Sequence, residues 1–352
     1  MASTLVTGAT GFIGRHLVDH LLREGHRVRW LDRRAVDASR YGTSDAERMP
    51  GDVLLPETLD RAVRSVDVVY HLAGATSVIS ERTYSQINIV GTRNLVAACA
   101  RQPSPPTLVY VSSLAAAGPA PKGEPLDESR LAAPVSEYGR SKLGAERALR
   151  EYADRVPITV LRPPSIFGPR EPHFLKMFKL IRTGINPIPG KPFELSFLYI
   201  DDLIDVLPRA VVSGQRLSAT QADSGLYFVA GQEWATLEEI GGLVAGILGC
   251  GRVRSFSIPR WLCYSMGLGG ELAGKMLRKP FLIGRDRMRE AFAGEWKCRS
   301  DRAIRDLGFR TPIPLAERLR QTAAWYIANG WLKGTVAPVL NSASVGHIDL
   351  AD

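Results

Sequence analysis

TLVTGATGFIGRHLVDHLLREGH, residues 4–26, decides the fold. Thr4 to Val6 form a short apolar run that reads as a strand. Ile13, Leu17 and Leu21 then recur at helical spacing, with Val18 and Leu22 beside them, until Gly25 stops the helix. Gly8, Gly11 and Gly14 lie between the two in a TGxxGxxG pattern. A glycine pattern alone is weak, but a preceding strand and a following helix are the context that dinucleotide binding requires. Gly8 permits the tight turn, and Gly11 lets the backbone approach a pyrophosphate. Gly14 lets helix and strand pack closely, and the helix N-terminus faces the phosphates. Thr10, Phe12 and Ile13 belong to the same candidate cofactor loop.

Outward from this unit, RVRWLD, VDVVYHLAG, TLVYVSS and PITVLRPPSIFGP read as further strands separated by helical stretches. That alternation predicts an α/β fold, a Rossmann-type doubly wound parallel sheet. The expected sheet domain covers residues 1–169, with sheet contributions from about 195–230. After Pro169 the text becomes basic, aromatic and broken by Gly and Pro, and from Ile258 it is mainly helical. Residues 170–334 are therefore expected to form an interleaved, mainly helical substrate-binding cap, and 335–352 a loose tail.

Asp32 ends the second strand. A carboxylate there accepts hydrogen bonds from an adenosine ribose and repels a 2′-phosphate, which favours NAD; Arg33 and Arg34 follow and leave NADP open. In GDV, residues 51–53, Asp52 with Val53 reads either as a contact to the adenine amine or as a simple turn.

Composition is that of a globular protein, with 45% hydrophobic and 23% charged residues. The net charge of +9 suits anionic ligands, yet its arginines are spread rather than clustered, so no nucleic-acid partner is expected. Cys99, Cys250, Cys263 and Cys298 form no CxxC pair and have no His at metal-ligand spacing, so no metal is expected. They read as reduced thiols in a cytoplasmic protein. No apolar run is long enough to span a bilayer, and nothing resembles a targeting segment.

SEYGRSKLGAE, residues 136–146, places Tyr138 and Lys142 one helical turn apart on one face. Alone that spacing is weak. In order, however, TGATGFIG, the His71–Gly74 turn HLAG, INIVGT, YVSS, YGRSK and LRPPSIFGP match the extended short-chain dehydrogenases/reductases. The sequence resembles that family over roughly residues 4–331, nearest in motif to its 3β-hydroxysteroid dehydrogenase-like members. The resemblance implies catalysis by Ser113, Tyr138 and Lys142, with Ser112 as a structural neighbour. A free tyrosine titrates near 10, so the lysine ammonium is expected to stabilise the phenolate. Tyr138 and Lys142 would also touch the cofactor, as would Leu72, Ala73 and Gly74 of the turn. Asn88 reads either as a support of the active-site network or as a plain helix residue. Pro163 and Ile166 match positions whose backbone touches the nicotinamide amide, or else pack at the strand end.

Within the family, dehydratases resemble one another in an Asp–Glu pair after the active-site Ser/Thr, where this chain has Leu114 and Ala115. Sugar-nucleotide epimerases typically carry NxYG and a tyrosine before the glycine of the Ser motif. Here Ser165 and Ala117 stand at those places. HFLKMFKLI and IPRWLCYSMGLGGELAGKMLRKPFLIG are oily and basic, and read as an apolar pocket or lid with peripheral membrane contact, or as ordinary cap core. The expectation is an NAD(P)-dependent oxidoreductase of a hydrophobic, sterol-like or lipid-like secondary alcohol or ketone. A sugar-nucleotide 4-epimerase and an inactive NAD-binding regulatory protein are the alternatives. Family members are often dimers through the Tyr–Lys helix, so a homodimer is expected.

Overall fold

Strand after strand is buried on both faces, as a parallel sheet between helices demands. The computed structural model describes residues 1–33, 45–78, 80–251, 253–277 and 284–337. In chain order the strands are β1 (Ser3–Thr7), β2 (Arg27–Asp32), β3 (Glu47–Pro50), β4 (Val68–His71), β5 (Thr107–Val111) and β6 (Ile158–Arg162). They continue with β7 (Ser165–Phe167), β8 (Ile185–Pro189), β9 (Leu195–Tyr199), β10 (Leu226–Phe228), β11 (Trp234–Ala235) and β12 (Arg254–Ile258). The main sheet has seven strands in the order β10-β6-β5-β4-β1-β2-β3, all parallel. β1 lies inside the sheet beside the middle strand β4, and the chain winds outward from this pair in both directions. The carboxyl end of β1 is therefore the topological switch point, where open α/β sheets bind ligands.

The alternation of side chains along each strand divides the core into two layers. Val6, Tyr70, Val109 and Leu161 point to the side covered by the helices Phe12–Arg23 and Ile200–Ser213. Leu5, Val69, Leu108 and Val160 point to the side covered by Pro56–Ala62, Gly91–Ala100 and Glu137–Arg150. The doubly wound architecture is as the sequence led one to expect.

The second half departs in detail. PITVLRPPSIFGP is two strands rather than one. Pro163 and Pro164 lack the N–H that continued pairing needs, so β6 ends in the main sheet and β7 begins in another. β7, β9 and β11 form a small three-stranded sheet, and β8 pairs in parallel with β12. The short edge strand β3 and the proline-bearing β8 carry no alternating signal, and both escape a reading by periodicity. Of the segments expected to take no regular structure, residues 335–337 are loop, while 338–352 lie outside the described residues, as does Arg34. Among the described residues no helix is long and apolar enough to cross a membrane.

Candidate functional site

The glycine loop stands at the end of β1 because two close backbone approaches exclude side chains. Gly8 is left-handed (φ +72), and a Cβ there would lie 2.7 Å from the Ala73 nitrogen. A Cβ on Gly14 would lie 2.2 Å from the Gly8 carbonyl oxygen. The space above Gly11 is different, since a Cβ there would meet only the Gly8 oxygen, at 3.1 Å. Gly11 caps the helix Phe12–Arg23, which has no side-chain cap and no acidic residue in its first turn. Its first amides are left to a ligand, and its positive end faces open space. These residues fit the pyrophosphate of a dinucleotide.

The turn after β4 is held against this loop from below. His71 is fully buried between Thr7 and Thr92, with Nδ1 2.7 Å from Thr7 Oγ1 and Nε2 2.8 Å from Thr92 Oγ1. Burial, with the nearby Lys142 charge, pushes the imidazole down to about 3, so it is neutral at any physiological pH. Leu72 N donates to the Thr7 carbonyl and Ala73 N to Thr7 Oγ1, both at 3.2 Å. Gly74 comes next, and a Cβ on it would sit 3.2 Å from Asn88 Oδ1 and 3.8 Å from Lys142 Nζ.

At the far edge of the cradle Asp32 is buried at the end of β2, and Arg48 from β3 donates to its Oδ2 at 2.7 Å. Arg33 lies 3.9 Å from Asp52. Asp52 Oδ1 accepts from Leu54 N at 2.9 Å, which makes a turn, and Val53 is buried beneath Gly91 with its carbonyl accepting from Asn94 Nδ2. Of the two expectations for Asp52, the turn is the one that the described residues show.

The helix Glu137–Arg150 carries Tyr138, Lys142 and Glu146 at intervals of four. Ser112 and Ser113, though adjacent, serve different partners. Ser112 donates to Glu146, which itself forms a buried ion pair with Arg162 of β6. Ser113 caps the short turn Leu114–Ala116 by accepting from Ala115 N at 3.1 Å, and its hydroxyl favours ionisation of the Tyr138 phenol. The Pro163 carbonyl receives Leu114 N at 2.8 Å, which fixes this turn to β6. Ile166 lies in β7, half-buried against the core. Asn88 is buried in a π-helical segment, Ser85–Val90, of a kind often found at functional sites. It accepts from Ala75 N at 2.7 Å and donates to Ala75 O and Ser141 Oγ. Since Ser141 donates in turn to the Tyr138 carbonyl, Asn88 ties the turn after β4 to the tyrosine's own backbone.

The tyrosine's electrostatics differ from the sequence expectation. Burial raises the Tyr138 phenol above 10; the Ser113 hydroxyl and the Arg287 guanidinium pull it back. Lys142 is engaged elsewhere. Its Nζ donates to the Val111 carbonyl at 2.8 Å and sits 4.4 Å above the Tyr110 ring. Burial pushes this lysine down to about 7, with Glu146 opposing.

Arg287 comes from a cap helix, Arg285–Ala291, that sequence reasoning passed over. Its guanidinium lies 5.7 Å from the Tyr138 ring, donates to the Thr76 carbonyl and pairs with Glu290 at 3.2 Å. The same helix caps the tyrosine's helix. Asp286 accepts from Glu137 N at 2.7 Å and from Tyr138 N at 3.1 Å, while Ser136 caps Gly139 N and donates to Glu290. Nothing near Asp286 marks it as a cap, because its partners lie about 150 residues upstream in the chain. Tyr84 also packs against Tyr138, with ring centroids 5.9 Å apart, and its hydroxyl donates to the same Thr76 carbonyl as Arg287.

Residues 4–218 match the profile of the NAD dependent epimerase/dehydratase family. The chain belongs to that family, and it is an enzyme of the extended short-chain type. The family's cofactor is NAD, which the cradle described above fits. Ceramide reductase of Caulobacter vibrioides is 28% identical over 332 residues, spanning 93% of this chain and 95% of its own. The 2-alkyl-3-oxoalkanoate reductase of Shewanella oneidensis is 27% identical over 296 residues, 79% of this chain and 74% of its own. Among solved structures, UDP-glucose 4-epimerase of Thermotoga maritima with UDP-glucose superposes with a TM-score of 0.74 at 21% identity, covering 93% of this chain and 99% of that one. At that identity the likeness is one of fold.

Two outcomes follow from the geometry. Asp32→Ala removes the carboxylate and releases Arg48 beside Arg33, so titration of the variant should show NADPH binding tightened relative to NADH. An unchanged ratio would remove Asp32 from cofactor selection. Lys142→Met removes a buried lysine titrating at about 7 in the fold and about 10.4 when unfolded. The folded protein bears the full penalty of a buried charge at low pH, and sheds it as pH rises through that window. The melting temperature of Lys142→Met should therefore exceed that of the wild type most at about pH 6, with the gap closing towards about pH 9. A gap independent of pH would show that Lys142 is not buried as a charge.

Proposed function

We propose that this enzyme transfers a hydride between nicotinamide and a secondary alcohol or ketone on a hydrophobic, lipid-like molecule, with Ser113, Tyr138 and Lys142 as its catalytic set. The observation that carries the reading is the placement of Tyr138 and Lys142 one turn apart on a single helix, with Lys142 beside Gly74 at the cofactor cradle and Ser113 acting on the Tyr138 phenol.

NAD, when bound, supplies or accepts the hydride. The cradle of Gly8, Gly11 and Gly14 would hold its pyrophosphate, Asp32 the adenosine ribose, and Lys142 the second ribose. The raised phenol of Tyr138 stays protonated at neutral pH, so it is poised as an acid. In the reducing direction it gives its proton to the substrate oxygen as charge develops there. Ser113 donates its one hydroxyl proton in a second hydrogen bond to that oxygen, and the phenolate left behind is stabilised by the Arg287 guanidinium. In the oxidising direction the proton returns to Tyr138.

The apolar character of the substrate rests on several observations. Ser165 and Ala117 replace the residues typical of the sugar-nucleotide pattern. Arg170 and Arg182, which could have held a diphosphate, are engaged away from it. Arg170 pairs with Asp19 at 2.9 Å, and Arg182 donates to the Lys333 carbonyl. Two relatives named above are, by name, reductases of lipid-like compounds.

Tyr138→Phe keeps the ring beside Tyr84 and Arg287 and loses only the proton donor. Turnover of a long-chain 3-oxo compound with NADH should fall by about 10²–10⁴-fold, while NADH still binds. A loss smaller than about tenfold would take Tyr138 out of the mechanism.

A further inference from the structure

The helix Arg260–Leu277 has two unlike faces. Inward it buries Cys263, Gly267, Gly270 and Gly274, a spacing of three and four. Small residues let it approach the next helix closely, and a Cβ on Gly267 would lie 3.3 Å from Arg285 N. Tyr264 stacks on Phe292 with centroids 5.9 Å apart. The helix therefore lies directly on the one that carries Asp286 and Arg287. Outward it shows water a row of large apolar side chains. Trp261 is 69% exposed and Met276 86%, with Leu262, Met266 and Leu268 between them. The neighbouring β12 adds Phe256, 44% exposed.

Isolated exposed apolar residues need no explanation, but five large ones exposed on a single helix do. Charge selects the occupant. Glu271, the one acid in the helix, is paired with Arg285 at 2.9 Å. Exposed Arg254 stands beside Phe256 on β12, and exposed Arg260, whose guanidinium lies over the Tyr264 and Phe292 rings, opens the helix, on a chain of net charge +9. Two copies meeting through this face would bring like charges together. A bilayer with anionic headgroups instead meets the arginines with opposite charge, takes the aliphatic and Met side chains among its acyl chains, and suits Trp261 at the boundary.

We propose that the outer face of Arg260–Leu277, with Phe256 and Arg254, is a docking surface for an anionic lipid bilayer. It would place the cap helix over Tyr138 next to the membrane from which a lipid-like molecule could enter. The surface is independent of the reaction and stands or falls apart from it.

Flotation of the full chain with vesicles, without any substrate, tests this. The wild type should rise with vesicles rich in phosphatidylglycerol and stay behind with phosphatidylcholine alone. Trp261→Ser combined with Leu268→Ser should weaken binding by about tenfold or more, since both side chains are exposed and their loss leaves the core intact. Cofactor binding and melting temperature of the double variant should match the wild type, which checks its fold. Equal flotation of variant and wild type, or no flotation of the wild type, would overturn the proposal. So would light scattering that shows the double substitution turning a dimer into monomers, for the face would then be an interface between copies.

Discussion

Everything at the site depends on how closely the ends of β1 and β4 come together. The backbone at Gly8 and at Ala73 touches so nearly that neither strand end tolerates a side chain on Gly8. The contact is held by the buried chain Thr7–His71–Thr92, in which a neutral imidazole joins two hydroxyls. From that one approach follow the open cradle above Gly11, the position of the turn after β4, and the small gap at Gly74 through which Lys142 and Asn88 reach the cofactor side. Had His71 been charged, its burial would oppose the fold rather than fasten it.

The chemistry is set by a second layer of contacts that comes from the cap. Burial makes Tyr138 resist ionisation, and it is Ser113 and Arg287, not Lys142, that oppose this. Lys142 is fixed by the Val111 carbonyl and the Tyr110 ring, which holds its ammonium at the cradle. Because Asp286 and Glu290 bind the start of the tyrosine's helix while Arg287 lies 5.7 Å from its ring, the cap is joined to Tyr138 itself. A change in the cap helix would thus reach Tyr138 directly, through hydrogen bonds to Glu137, Tyr138 and Ser136.

What could be read from the chain was what local backbone geometry encodes. The glycine loop, the strand–helix alternation and the Tyr–Lys spacing each need only a few neighbouring residues to be recognised. The split of β6 from β7 was there to be read in Pro163–Pro164, but the apolar run around it masked the break. Arg48 was not legible as the partner of Asp32, since β3 has no alternating pattern and pairs only at the sheet edge. Asp286, Arg287 and Glu290 were not legible either. Three charged residues in an arginine-rich helix read as a solvated face until the fold brings them to a helix start far upstream. The π-helical widening at Asn88 likewise has no sequence signal of its own.

The central claim is that hydride transfer here is net and is completed by the Tyr138 proton. The most direct measurement is isotopic. With NADH bearing deuterium at the transferring position of its ring, reduction of a long-chain 3-oxo compound should yield an alcohol with one deuterium on the carbinol carbon for each NADH oxidised. Conversion of a UDP-sugar to its epimer with no NADH consumed and no deuterium incorporated would contradict the account.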